Sequence, residues 1–583
     1  MLISAGRITR EAGEANVLST AECDIYWRGF VYRSGFRSGK VSLGELAKVR
    51  ETEIPRAAAQ LKGAYFIAVK CKGSGNCYAF VDPSGLYQAY YSPRAVGTSL
   101  LELSRLEACR AGDIEPEALV ELFHFGCIYE NRTFFRQIHK VDPFSVISCS
   151  SSGATEVLPK PVADISERPL LSFDALIQDF ANALKDEKVS VDINGSVDSR
   201  LLAAALSYFG LPFEAASCGQ PGTPEMRIAA RVAQALGRPF QPTFHSAERA
   251  DWDELFVLAD GMFDVTKSSR HAQLQKERKQ RGVTLSVGDI GGELYGDSWW
   301  VQDFPFRSGQ GPQMEKLYSL RLAPQPLEHY LLGDRYCLVS EWYRENVLEH
   351  LWQYAVPGNT KTYDRIDYYF RLRAHAGWRV SGSPQEVKVA LPYLDSESVR
   401  IGYGLPRRER SFNRFHRRKI TQFSKKASCL PTTDAGMTAG SGPVAISVDF
   451  GRYLFDRCGR ALAKTGERVF RRSLLRQNTD DPRMRDELIQ TMENQKITQL
   501  LADHRVLRSA LNPRALPSRY VGPVFVLGKF FGELDADSLP TSAESKPPGE
   551  AAKDTLPAET KTAAGEPNSP PRGTWHPSQI PFA

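Results

Sequence analysis

From about residue 170 to 290, short apolar runs alternate with stretches of helical periodicity. No other feature of the chain restricts its fold as much. Leu176, Ile177, Phe180, Ala181 and Leu184 recur at helical spacing, Val189–Ile193 reads as a strand, and Arg200–Tyr208 reads as a helix stopped at Gly210. Phe213–Cys218 is the next strand, Pro224–Leu236 a helix ending at Gly237, and Val283–Val287 a further strand. Strands and helices alternating at these lengths predict a parallel sheet covered by helices. Before residue 160 the pattern is different. Tyr65–Val69 and Tyr78–Val81 flank Gly73-Ser74-Gly75-Asn76 as a hairpin, more β-like runs lie near Tyr87–Tyr91 and Phe144–Cys149, and Pro116–Phe125 has a helical apolar face. Beyond 300 the chain reads as mostly helical.

A length of 583 residues exceeds what one core usually organises, so two or more domains are expected. With 42% apolar and 24% charged residues the chain is not wholly disordered. A net charge of +6 over this length argues against a nucleic-acid partner. No apolar run approaches the ~20 residues of a membrane helix, and the first twenty residues lack the apolar stretch of a secretory signal. A cytoplasmic protein with no membrane partner is therefore expected. Its 10 cysteines show no CxxC pair, which predicts free thiols rather than zinc or a disulfide framework. His245, His271, His375 and His416 have no metal-binding spacing and read as core or surface residues. Residues 535–583 hold many prolines and few large apolar side chains, and are expected to be a disordered tail.

The stretch richest in chemistry is Val191-Asp192-Ile193-Asn194-Gly195-Ser196-Val197-Asp198-Ser199-Arg200. A strand ends here and a helix begins, so backbone N–H groups and the positive end of the helix dipole converge on a site that suits phosphate. Ser196 and Ser199 can add hydroxyl donors, and Asp198 can hold a magnesium ion. An Asn-Gly turn that merely caps the helix is the other local reading.

The segment Asn194–Ser199 resembles the pyrophosphate-binding loop of the ATP pyrophosphatases, the PP-loop. Its continuation Asp198-Ser199-Arg200-Leu201-Leu202-Ala203 resembles that of the asparagine synthetase family. Further resemblances follow in order: Glu225–Ala229, Gly288-Asp289-Ile290-Gly291-Gly292-Glu293, Leu391-Pro392-Tyr393-Leu394-Asp395 with Glu386 upstream, and the basic run His416–Ile420. In the first 160 residues Leu61–Phe66, Asp82–Leu86, Thr133 and Asp142–Phe144 resemble the family's glutamine amidotransferase domain.

The resemblance implies an α/β protein in three parts. Residues 1–160 would be an N-terminal nucleophile-type αββα sandwich, and 165–534 an adenine-nucleotide α-hydrolase-like parallel-sheet synthetase domain with a helical C-terminal part. The tail would follow. It implies ATP and Mg2+, with Asn194, Gly195, Ser196, Val197, Asp198, Ser199, Gly288 and Asp289 binding nucleotide. Asp198 and Glu293 would hold the metal, and Lys419 and Glu386 would be catalytic. Lys425 and Lys426 are rivals to Lys419, and Glu386 could instead pair with Arg379 or Lys388. A homodimer is compatible with the resemblance.

The chain also departs from the family. Glutamine-using members begin Met-Cys, whereas this sequence begins Met1-Leu2 with Cys23 the nearest cysteine, so glutamine hydrolysis is expected to be absent. Gly292 stands where the family carries an aspartate. Asp198, Asp289 and Glu293 would then be the three carboxylates left for a metal. The implied function is an ATP-dependent, amide-forming ligase that adenylates a small-molecule or peptide carboxylate for attack by ammonia or a substrate amine. Members that lost the same cysteine, such as β-lactam synthetases and lasso-peptide cyclases, offer the nearest parallel. A glutamine-hydrolysing asparagine synthase is the alternative within the class. A catalytically inactive scaffold or regulatory homologue is the alternative outside it.

Overall fold

The computed structural model describes residues 1–9, 16–36, 39–244, 250–296, 311–322, 333–383, 387–433, 438–448 and 482–536, with single positions between 450 and 459. The molecule is mixed α/β, with antiparallel sheets first and a parallel sheet later.

The antiparallel part begins with β1 (Leu2–Ser4), β2 (Arg7–Thr9), β3 (Asn16–Ser19), β4 (Cys23–Tyr32), β5 (Lys62–Cys71) and β6 (Cys77–Val81). It continues with β7 (Tyr90–Tyr91), β8 (Ala95–Gly97), β9 (His139–Lys140), β10 (Ser145–Cys149) and β11 (Thr155–Pro159). Their orders are β2-β1-β8-β7-β9 and β11-β10-β6-β5-β4-β3. Strand β5 explains the continuous apolar run seen in the sequence, because it is covered on both faces. Ala64, Phe66 and Ala68 enter the main core. Tyr65, Ile67 and Val69 enter a smaller one with Leu43 of the helix Gly39–Leu46 and Ile54 of the helix Ile54–Ala58. The expected hairpin is present, with Phe66 facing Val81 and Lys70 facing Cys77. The expected helix spans Pro116–Phe125. Near Tyr87–Tyr91 only Tyr90 and Tyr91 pair as a strand.

The parallel sheet contains β12 (Val189–Asp192), β13 (Phe213–Gly219), β14 (Phe240–Phe244), β15 (Leu285–Val287) and β16 (Lys388–Ala390), in the order β14-β13-β12-β15-β16. The three predicted strands lie at its centre. The two edge strands escaped prediction: β14 contains Pro242, which an edge tolerates, and β16 opens on Lys388 and runs into Pro392. The helix predicted from Arg200 starts earlier, at Val197, because the Ser196 hydroxyl accepts the Ser199 N–H as its cap.

One apolar core includes Phe66 and Ala79 of the antiparallel part together with Val191, Leu201 and Leu391 of the parallel part. Met1–Ser538 packs as one unit. The helix Ser518–Ala536 runs two residues into the segment expected to be a tail, and the remainder from 537 lies outside the described residues. No helix among the described residues is long and apolar enough to cross a membrane.

Candidate functional site

In a parallel sheet of this order the strand order reverses between β12 and β15, so the connections leaving those two strands run in opposite directions. The crevice between them is the usual place for a ligand. Both glycine-rich segments singled out in the sequence lie there. The β12 loop, Ile193–Ser196, is closed by its own side chains. Asn194 Oδ1 accepts the Ser196 N–H at 2.7 Å and the Ser199 hydroxyl at 2.8 Å, while the Asn194 N–H donates to Ser199 Oγ at 3.1 Å. Asn194 Nδ2 crosses to Asp289 Oδ2 at 3.1 Å in the β15 loop. Asn194, Ser196, Ser199 and Asp289 are thus one hydrogen-bonded group.

The β15 loop, Gly288–Gly296, packs tightly on the helix Val197–Tyr208. A Cβ at Gly292 would stand 2.6 Å from the Asp198 Cβ, so only glycine fits with Asp198 in this position. The segment after β16 supports both loops. Leu391 lies against Gly288, Leu394 lies against Gly291, and the Tyr393 hydroxyl donates to the Asp198 carbonyl at 2.9 Å. Leu391–Asp395 therefore meets the site as a structural brace, and Asp395 caps the helix Ser396–Gly404.

Negative charge collects in the crevice. Burial pushes Asp289 up to about 7, with Asp198 and Asp192 adding repulsion. Asp192 pairs with the buried guanidinium of Arg278. Glu293 is also pushed up to about 7, by burial and then by Asp367. Its carboxylate turns back to the Gly291 N–H at 2.9 Å and stands 3.6 Å from Arg371. Among the described residues no three acidic, histidine or cysteine side chains are grouped to hold an ion. The expected three-carboxylate set of Asp198, Asp289 and Glu293 is thus not assembled, because Glu293 is drawn towards its own turn and Arg371. Asp198 and Asp289 remain close enough to repel. That donor set fits Mg2+, which is commonly held by one or two carboxylates plus substrate phosphates.

Two side chains to which the sequence assigned no role at the site, His416 and Arg200, meet the loop. His416 is wholly buried, and its Nε2 is 2.8 Å from Asp198 Oδ1 at an angle that makes no regular hydrogen bond. Arg200, also wholly buried, donates to the carbonyls of Ala427, Leu430 at 2.7 Å and Pro431. That tether brings Thr433 over the loop, where its N–H donates to the Gly195 carbonyl at 3.0 Å. Nothing but glycine fits at 195 beneath the Thr433 methyl.

The sequence-predicted residues divide accordingly. Asn194, Gly195, Ser196, Val197, Asp198, Ser199, Gly288 and Asp289 come together. Lys419 shares the helix Arg414–Phe423 with His416, but its ammonium donates to Asp174 Oδ1 at 2.6 Å and Gln422 Oε1 at 3.0 Å. Lys425 and Lys426 are exposed, as is Glu225. Glu386, His245 and Cys458 lie outside the described residues, and Lys388 pairs with Glu187. His271 and His375 are buried, His271 against Ser383 and Gln275 and His375 near Phe263. The chain matches no protein-family model and no curated protein.

Proposed function

We propose that the parallel-sheet part binds ATP with Mg2+ and activates a carboxylate as an acyl-adenylate, in an amide-forming ligase of the asparagine synthetase type. The observation that carries this reading is the pairing of Asn194–Ser199 with Gly288–Asp289 across the crevice where the strand order reverses. On this reading the antiparallel part corresponds to the αββα amidotransferase-like domain and the parallel part to the α-hydrolase-like synthetase domain.

Phosphate oxygens would replace Asn194 Oδ1 as acceptor of the Ser196 N–H and the Ser199 hydroxyl, and the loop with the hydroxyls of Ser196 and Ser199 would then hold the β- and γ-phosphates at the start of the helix Val197–Tyr208. Asp198 and Asp289 would hold Mg2+, which when bound neutralises phosphate charge. A substrate carboxylate oxygen attacks the α-phosphorus, the bond to the bridging oxygen breaks, and pyrophosphate leaves. The nitrogen of ammonia or of a substrate amine then attacks the acyl carbon, a base takes its proton, and AMP leaves. Lys419 would serve at the α-phosphate only after leaving Asp174. Glutamine is not the favoured amine donor: Cys23 is buried in β4, in the smaller core with Leu43 of the helix Gly39–Leu46.

The inactive-homologue reading draws on Thr433 seated against Gly195 and on Lys419 held by Asp174. ATP–pyrophosphate exchange with a panel of carboxylates separates the two. Exchange stimulated by one carboxylate supports the ligase, and none with any carboxylate supports the inactive homologue.

A further inference from the structure

Four buried cysteines stand at one end of the six-stranded antiparallel sheet, in two cross-strand pairs. Cys23 of β4 faces Cys71 of β5, and Cys77 of β6 faces Cys149 of β10. The pairs occupy opposite faces: Cys23 and Cys71 line the smaller core, Cys77 and Cys149 the main one. All four are free thiols.

The hydrogen-bond phase of the sheet separates the two pairs. Lys72 N–H donates to the Glu22 carbonyl at 2.8 Å, and Cys71 N–H donates away from β4, to the Asn76 carbonyl at 2.9 Å. Cys23 and Cys71 therefore form a non-hydrogen-bonded pair, the kind in which Cα atoms approach to about 4.5 Å and side chains come closest. That lies at the near end of the range a disulfide spans, about 4.4–6.8 Å. Asn76 offers its carbonyl to β5, and Ser150 N–H turns to the carbonyl of Ala154, just before β11. The alternation then makes Cys77 and Cys149 a hydrogen-bonded pair, whose Cα atoms stand wider, at about 5.5 Å. Cys23 and Cys71 also lie next to the turn at the sheet end and keep 5% and 7% exposure, whereas Cys77 and Cys149 have 0%.

We propose that Cys23 and Cys71 form an oxidisable cross-strand dithiol that closes into a disulfide with a low-molecular-weight disulfide such as oxidised glutathione. One cysteine thiolate attacks a glutathione sulfur, and the first glutathione leaves as thiolate. The second cysteine attacks the mixed disulfide and displaces the second glutathione. Two protein thiols are oxidised, two glutathiones are released, and the cysteine protons pass to solvent. Cys23 is the attacking group. Its thiol is raised by burial, with Asp24 and Glu22 adding to the rise and the Thr20 hydroxyl, 3.7 Å from its sulfur, and Lys72 opposing it. Cys71 is held up at about 12 by burial and by Glu51, which suits a resolving thiol. The closed bond staples β4 to β5 beneath the helices Gly39–Leu46 and Ile54–Ala58.

The test incubates the whole folded chain with oxidised glutathione, then digests it without reductant and reads the peptides by mass spectrometry. Exposed Cys429 serves as the internal control for oxidant activity. The expected result is a Cys23–Cys71 linked peptide, no Cys77–Cys149 link, and a rise in the thermal midpoint that reductant reverses. Cys71→Ser should leave glutathione on Cys23, and Cys23→Ser should leave Cys71 free. A glutathione adduct on Cys429 with Cys23 and Cys71 recovered as free thiols would overturn the proposal. So would a Cys77–Cys149 link forming first.

Discussion

Polar residues with motif-like spacing occur in both halves of this molecule, and the two halves use them differently. In the antiparallel half they are spent on shape. Asp82 is wholly buried and accepts the N–H groups of Ser84, Leu86 and Tyr87 at 3.1, 3.1 and 2.9 Å. Thr133 donates to the Ile138 carbonyl at 2.6 Å, and Asp142 accepts the Phe144 N–H at 2.7 Å. In the parallel half, Asp198 and Asp289 lie close enough to repel, and both ring nitrogens of His416 lack a hydrogen bond. A satisfied buried carboxylate marks a fold. Repelling carboxylates beside a helix N-terminus mark a site.

Three substitutions sharpen that contrast. The largest effect on stability belongs to Asp82→Ala, which strands several buried N–H groups and should cost on the order of 3 kcal/mol or more in chemical denaturation. Protein that remains folded should keep its nucleotide affinity. Loss of affinity with little loss of stability would reverse the roles assigned to the two halves.

Gly292→Ala should cost about 1–3 kcal/mol by forcing the new methyl into Asp198. Unlike Asp82→Ala, it should weaken Mg2+-dependent ATP binding even in folded protein. Unchanged binding by titration calorimetry would show that the two loops are not coupled.

The smallest effect depends on pH. Asp260 lines a cavity of about 330 Å³ and accepts the Leu100 N–H at 2.6 Å at the start of the helix Leu100–Leu106. Burial raises it to about 7 from an ordinary 3.8. A raised carboxylate contributes stability below its unfolded value and loses it as pH rises through the folded one. Stability should therefore fall between about pH 4 and pH 7, by on the order of 1–2 kcal/mol after screening in the cavity. Asp260→Asn should reduce that slope and leave the share due to Asp289 and Glu293, which are raised to about 7 as well. A variant with the same slope as the parent protein would place the titration elsewhere.

Legibility in the sequence followed how local each signal was. Val189–Asp192, the Asn194–Ser199 turn and Pro116–Phe125 could be read because periodicity and turn chemistry act over a few residues. Strand β16 could not, since Lys388-Val389-Ala390 opens on a charge and runs into Pro392, leaving too short an apolar run to mark it. The site was half legible. Its loops announced themselves by glycine and acid spacing, whereas His416 and Arg200 reach it only through tertiary packing. His416 and Lys419 sit three residues apart on one helix, and the sequence favoured the lysine on charge. Packing turns the histidine to Asp198 and the lysine to Asp174.

The central claim is that the crevice beside β12 binds ATP through Mg2+ held at Asp198, and calorimetric titration of the whole chain with ATP and Mg2+ tests it most directly. The parent protein should bind, and Asp198→Ala should show no Mg2+-dependent binding while remaining folded, because the Asp198 side chain is partly exposed and its loss removes only the carboxylate beside the buried His416. Equal affinity in the two proteins, or no binding by the parent, would contradict the account.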